Sequence, residues 1–224
     1  MLNDKKNKMY GGVITWNPFK GCKFDCEYCE VSFRRQAKRQ KQNCIKCYNY
    51  EPHFHPERLK QYLPKDKLIF ACGNGDIAFA KPEWIKAVLD EMEQRPDHTF
   101  LLQTKQPNCL FGFKIPDNCI VGTTIETNRD TSLISKAPKP IWRQYTLNQI
   151  DHSRKFVTME PLYEFHLQSM VSWVKQLKPE FVYIGYANNY ETDLMKEPTP
   201  DETQELIAEL EKITEVRLKT IKEA

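Results

Sequence analysis

The sequence has no long apolar run. Nothing in its 224 residues approaches the roughly 20 consecutive apolar positions that a membrane-spanning helix needs. The stretch from Met1 to Lys8 is polar, and no apolar signal core follows it, so the expectation is a cytoplasmic protein with no membrane partner. A surplus of one charge is missing too. Lys and Arg number 33 against 30 Asp and Glu, and the resulting +3 is too weak to argue for a nucleic-acid partner by itself. Nor are the eight cysteines spread as a disulfide framework would be. Five fall between Cys22 and Cys47, while Cys72, Cys109 and Cys119 are scattered without partner spacing. In a chain whose thiols stay reduced, that clustering reads as metal binding.

What is present is an alternation of short apolar runs and amphipathic stretches. Strands are expected at Val13–Trp16, Leu68–Cys72, Thr99–Gln103, Ile120–Ile125, Lys155–Met159, Phe181–Gly185 and Glu215–Ile221. Helices are expected at Cys26 to about Lys41, Pro82–Gln94, Asp130–Lys136, Ile141–Ile150, Leu167–Leu177 and about Asp201–Lys212. Strands alternating with helices imply βαβ units and a parallel sheet. Six or seven such units curl into an α/β partial barrel of the TIM type. Residues 1–224 read as a single domain, with an insertion at about 41–66 that carries Cys44 and Cys47.

The first strand leads into Gly21-Cys22-Lys23-Phe24-Asp25-Cys26-Glu27-Tyr28-Cys29, a C-x3-C-x2-C loop. Thiolates are soft ligands suited to iron–sulfur clusters, and a four-iron cluster takes four of them when all its irons are protein-bound. This loop offers three, which leaves one iron open for chemistry. Zinc is the competing reading, with these cysteines joined by Cys44 and Cys47.

Cys44-Ile45-Lys46-Cys47 precedes His53 and His55. Zinc-site histidines are usually three to five residues apart, and His53 and His55 are read as facing opposite sides of an extended segment, so the two are not expected to hold one ion together. A structural zinc, a second cluster or two packed cysteines all remain open for Cys44 and Cys47. The run Arg34, Arg35, Lys38, Arg39, Lys41 places charges at i,i+4 on a helix, either as a solvated face or as a surface for a phosphate backbone. Together they define an alternative function, a zinc-stabilised nucleic-acid-binding protein.

In βα-repeat folds the active site gathers at the carboxyl ends of the strands. Here those ends carry Gly73-Asn74-Gly75-Asp76, Thr104-Lys105, Glu126 with Asn128 and Arg129, Glu160, and Tyr186 with Asn188. Such a polar cup suits a charged cofactor. Several residues read as structural: Trp16 as a wall, Cys72 as a small buried residue, and His98 at a strand start.

The three-cysteine loop, with aromatic Tyr28 just before the third cysteine, resembles that of the radical S-adenosylmethionine (radical SAM) superfamily. Thr15-Trp16-Asn17-Pro18, His55-Pro56-Glu57-Arg58-Leu59, Gly75-Asp76, Thr104-Lys105 and Glu160-Pro161-Leu162 also look like a little-characterised phage- and bacteria-associated radical-SAM-like family. The resemblance implies that Cys22, Cys26 and Cys29 hold a [4Fe–4S] cluster whose open iron takes S-adenosylmethionine, which is cleaved reductively to a 5′-deoxyadenosyl radical. It further implies an electron donor such as a flavodoxin or ferredoxin. By position, Gly73, Asn74, Gly75 and Asp76 would meet the amino group of S-adenosylmethionine, although they depart from the usual Gly-Gly-Glu. Thr104 and Lys105 would meet its carboxylate, Glu126 or Asn128 its ribose, and Glu160 would complete the cup. No substrate follows from the family; a nucleotide or nucleic acid fits the basic run.

Overall fold

The computed structural model describes residues 13–65, 67–187 and 192–221. Met1–Lys8, Asn188 and Asn189 lie outside the described residues. Seven strands form one parallel sheet: β1 (Ile14–Trp16), β4 (Leu68–Ala71), β5 (Thr99–Gln103), β6 (Cys119–Thr124), β7 (Lys155–Met159), β8 (Phe181–Ile184) and β9 (Glu215–Leu218), in that spatial order. The remaining two, β2 (Phe19–Lys20) and β3 (His53–Phe54), pair antiparallel as a separate ribbon. The sheet curls into the expected partial barrel.

Alternation within the strands builds two apolar layers, because successive side chains leave a strand on opposite faces. Ile69 and Ala71, Phe100 and Leu102, Cys119 and Val121, Val157 and Met159, and Val182 and Ile184 all join the layer that packs on the helices. Phe70, Leu101, Ile120, Phe156 and Phe181, one from each of five adjacent strands, line the other face behind Val13. A parallel sheet covered on both sides needs this near-continuous apolar sequence.

The helices covering the sheet are α3 (Pro82–Glu93), α4 (Pro140–Asn148), α5 (Leu167–Leu177) and α6 (Pro200–Glu211). Pro at the first turn starts three of them. Thr199 and Glu202 form a reciprocal capping box on α6. Among the described residues no helix is long and apolar enough to cross a membrane.

Two expected helices differ. Residues 27–40 are helical but irregular, passing from a 3-10 turn through a π turn at Glu30–Arg34 to the single α-turn α1 (Arg35–Ala37) and a further 3-10 turn. The Ser32 hydroxyl donates to the carbonyls of Tyr28 (3.1 Å) and Cys29 (3.4 Å), competing with the backbone ladder there. Asp130–Lys136 is a chain of turns. Asp130 Oδ1 accepts from Ser132 N at 2.9 Å, an Asx turn that replaces the helical bond, and Pro138 stops any continuation.

Candidate active site

The cysteine loop is gripped by backbone from two directions. Gly21 has φ +89°, a conformation that glycine adopts freely, and a Cβ there would lie 2.1 Å from the Glu51 carbonyl oxygen. Gly75 is also closely approached, since its Cβ would sit 2.6 Å from Gly21 N. Gly21 N donates to Asn74 O (3.1 Å), and Asp76 N donates to Gly21 O (3.1 Å). The glycine-rich turn after β4 is therefore a backbone clasp on the cysteine loop. Asn74 N in turn donates to the side chain of Asn17 (2.9 Å), and Gly73 packs on the Phe70 ring.

The turn chain at 131–136 closes the other side. Glu27 N donates to Ile134 O (3.0 Å), Lys136 N to Phe24 O (2.7 Å), and the Lys136 ammonium to Asp25 (2.7 Å), whose other oxygen takes Arg34. Phe24 packs on Phe79 with ring centroids 4.6 Å apart. Trp16 forms a buried wall, as expected, and its indole donates to Arg58 O at 2.8 Å. That bond, with His55 N donating to Pro18 O (2.6 Å), explains why Thr15-Trp16-Asn17-Pro18 and His55-Pro56-Glu57-Arg58-Leu59 belong together.

The three thiols differ in environment. Burial, reinforced by the nearby Asp76 carboxylate, pushes Cys22 upward. Cys26 is held well below the usual thiol range, first by its hydrogen bond with Cys29 and then by the Lys105 charge and the Ser135 hydroxyl, which stands 3.0 Å from its sulfur. Ser135 accepts from Ala137 N (3.1 Å), so its own proton is free to reach Cys26. Phe24 N donates to Cys22 Sγ at 3.4 Å. The charges of all three cysteines also bear on the buried phenol of Tyr50.

Among the described residues these three thiols do not form a set compact enough for a single ion; the set that does is Cys44, Cys47, His53 and His55. Three thiols on one loop, two of them with an N–H or O–H group on the sulfur, suit a polynuclear cluster, in which each cysteine would bind its own iron. The residues present fit that group. A zinc shared between the loop cysteines and Cys44/Cys47 does not match this arrangement.

The expectation that His53 and His55 face opposite sides, and so do not meet at one site, needs correction. Residues two apart in an extended segment share a face, so both imidazoles point at the cysteines, with centroids 4.4 Å apart. The short histidine spacing does not keep them apart.

Beside the loop lies a buried charge network. Glu126, 1% exposed, accepts from the Tyr28 hydroxyl and the Lys105 ammonium on one oxygen and from Arg143 on the other (2.6 Å). Burial opposes its charge, but Arg143 and Lys105 overcome that and hold its pKa down at about 2. Arg143, fully buried, also donates to the carbonyls of Thr124 (3.1 Å) and Pro138 (2.5 Å). Lys105 sits 5.3 Å from the Tyr28 ring centroid.

Asp76 is buried and accepts from Thr104 Oγ1 (2.6 Å) and Ala78 N (3.0 Å) on Oδ1, and from Lys105 N (2.9 Å) on Oδ2. Burial raises its pKa despite these donors. Glu160 pairs with Lys219 (2.7 Å), while its Oε2 is buried with no hydrogen-bond partner among the described residues.

Asn128 is committed elsewhere, its amide bonded at both ends to the His166 backbone (2.7 and 2.9 Å). Arg129 pairs with Glu164 (2.5 Å), and Tyr186 bonds Thr203 on α6 (2.5 Å). The structure thus joins Tyr28, Thr104, Lys105, Asp76 and Glu126 to the cysteine loop and directs these three elsewhere. Arg143, Ser135 and Tyr50 were not singled out by sequence reasoning. Arg143 sits in an ordinary helix pattern, and only its place among buried residues marks it.

The basic run does not form one stripe. Arg34 is tied to Asp25, Lys38 lies over the Tyr48 ring (4.5 Å), and the irregular helix breaks the i,i+4 stacking. Cys72 is buried as expected, and His98 bonds Leu63 O (3.2 Å).

A family model described as "Protein of unknown function (DUF5131)" matches residues 12–177. No curated protein matches the chain. Spore photoproduct lyase, as a mutant with dinucleoside spore photoproduct, superposes with a TM-score of 0.64 at 9% identity, over 92% of this chain and 76% of that one. A second mutant of that enzyme, with bound AdoMet as well, gives 0.63 at 9% identity over 90% and 75%. Streptococcus suis SuiB bound to S-adenosylmethionine gives 0.53 at 10% identity, over 93% of this chain and 50% of SuiB. At these identities the likeness is one of fold, the α/β partial barrel.

Proposed function

The chain belongs to the family described as "Protein of unknown function (DUF5131)", and we propose that it is a radical SAM enzyme, holding a [4Fe–4S] cluster through Cys22, Cys26 and Cys29. One observation carries this reading: three thiols on one loop, at the carboxyl end of the first strand of a parallel partial barrel, with buried polar groups at the neighbouring strand ends. When bound, the cluster and S-adenosylmethionine supply one-electron cleavage of a sulfonium, giving a 5′-deoxyadenosyl radical. The chain's own part is to bind, orient and exclude.

The Gly21–Gly75 clasp fixes where Cys22 leaves the barrel. Ser135 and Phe24 N neutralise thiolate charge by hydrogen bonding. Lys105, drawn to Glu126, provides an ammonium for the cofactor's carboxylate, and Tyr28 walls the same space. Asp76 Oδ2, with one donor, retains a lone pair for the cofactor's amino group, and the unpartnered Oε2 of Glu160 offers an acceptor further round the cup. Asn128, bonded to His166, serves the site by holding its loop rather than by reaching the ribose. Electrons would come from a flavodoxin or ferredoxin. The substrate class is open to a nucleotide, a nucleic acid or a peptide.

Anaerobic reconstitution tests the cofactor assignment. The wild type should take up about four irons per chain, the content of one cubane, while the C22A/C26A/C29A variant takes up none. Equal iron in the two proteins would remove the assignment.

A further inference from the structure

Cys44 caps the N-terminus of the short helix α2 (Ile45–Tyr48) and Cys47 lies within it, while β3 with the residue after it carries His53 and His55. Four ligand atoms, two Sγ and two Nε2, lie within 4.8 Å of one another. Cys44 Sγ is 3.4 Å from His53 Nε2, and Cys47 Sγ is 3.3 Å from both His53 Nε2 and His55 Nε2. A tetrahedral zinc, with Zn–S near 2.3 Å and Zn–N near 2.05 Å, sets sulfur and nitrogen about 3.5 Å apart. Three of the quartet's four sulfur–nitrogen edges are already close to that length, and the remaining pairs lie within 4.8 Å.

Proton counting favours an ion over a hydrogen-bonded cluster. His53 Nδ1 lies 2.7 Å from the Glu51 carbonyl and His55 Nδ1 2.8 Å from the Glu57 carboxylate. Both partners can only accept, so both Nδ1 atoms carry the proton, and the neutral rings turn bare Nε2 lone pairs inward. Two thiol protons then face three close S···N contacts, and one contact is left without a hydrogen. A cation at the centre satisfies all four atoms, with the two thiol protons released to solvent. Carbonyl and carboxylate acceptors on the outer nitrogens are also the outer shell that metal-ligating histidines show. Cys47 N donates to Cys44 Sγ at 3.2 Å, which suits a thiolate.

We propose that Cys44, Cys47, His53 and His55 bind one zinc ion in a two-sulfur, two-nitrogen site, and that the ion pins residues 44–58 against the loop carrying Cys22. The link is short. Tyr50 O accepts from Cys22 N (3.3 Å). The Glu51 carbonyl that orients His53 is the atom Gly21 approaches so closely that a side chain has no room. His55 N donates to Pro18 O, at the exit of β1. Zinc thus sets the floor on which Gly21 and Cys22 rest. This bracing role rests on the cluster reading of Cys22; the zinc site itself does not.

The C22A/C26A/C29A variant separates the two. It should purify with about one zinc per chain, and X-ray absorption at the zinc edge should show two sulfur and two nitrogen neighbours at about 2.3 and 2.0–2.1 Å. Cobalt in place of zinc should give tetrahedral thiolate-type visible bands in the same variant. Cys47→Ala and His55→Ala should each lose most of the metal. Less than about one zinc in ten chains with no cobalt bands, iron in place of zinc, or full zinc in Cys47→Ala would each overturn the site. If wild type retains zinc but takes up no iron, the cluster reading fails and the zinc site stands. Zinc-stripped wild type that reconstitutes iron as fully as untreated protein would overturn the bracing role alone.

Discussion

Glu126 is the residue on which the charges of the site converge. Its carboxylate balances two cations, one of them fully buried, so Glu126→Gln leaves Arg143 without a counter-charge and should cost about 3 kcal/mol or more in urea unfolding. Tyr28→Phe removes one charge-assisted hydrogen bond and should cost about 1.5 kcal/mol, read in the same titration. The acid side follows from the depressed pKa of Glu126. A carboxylate whose folded pKa lies below its unfolded value stabilises the protein above the unfolded value and loses that contribution as pH falls through the folded one. Stability of the wild type should therefore drop between about pH 4.5 and about pH 2, and the Glu126→Gln variant should show a shallower drop across that window. Equal slopes would contradict the charge assignment. Ser135 acts more locally. Hydrogen bonds to cluster sulfurs favour the reduced, more negative state, so Ser135→Ala should keep its iron and lower the reduction potential in an EPR-monitored titration.

The elements that hold the site are loops clasped by backbone, and here the sequence was only partly readable. Pattern alone placed the strands to within one residue at β1, β5 and β7, because a buried parallel strand must be apolar and short. The cysteine spacing marked the loop. What remained hidden were contacts between segments distant in the chain: Gly21 against Glu51, Ile134 and Lys136 against the cysteine loop, Arg143 against Glu126. None leaves a periodic signal, since each depends on where two loops meet. The histidines show a local misreading, for the chain alternates faces at every residue and returns to the same face at the second. Asp130–Lys136 shows a competition, in which Asx-turn bonding outweighs helix formation. The clasp makes its own prediction. Gly21→Ala combines a positive φ with a 2.1 Å backbone clash, and should cost about 3 kcal/mol or more and abolish iron uptake, whereas Gly112→Ala, with the same sign of φ but open space around it, should leave iron uptake intact.

Taken whole, the molecule is a parallel sheet whose two apolar layers leave the carboxyl ends of the strands to carry the polar groups. The order β1-β4-β5-β6-β7-β8-β9 sets the cysteine loop at one edge strand and brings the ends of β4, β5 and β6 beside it in sequence. That order explains how Asp76, Lys105 and Glu126 come to share one network with Tyr28 although Tyr28 and Glu126 are 98 positions apart in the chain. Spore photoproduct lyase and SuiB share the fold at about one residue in ten, so the architecture tolerates wide change in sequence. On the proposed function, this sheet would position a cluster able to cleave S-adenosylmethionine. The most direct test is the yield of 5′-deoxyadenosine from anaerobically reconstituted protein given dithionite and S-adenosylmethionine, compared with the C22A/C26A/C29A variant. 5′-Deoxyadenosine is expected from the wild type and none above background from the variant. Equal yields, or none from a wild type carrying a full cluster, would contradict it.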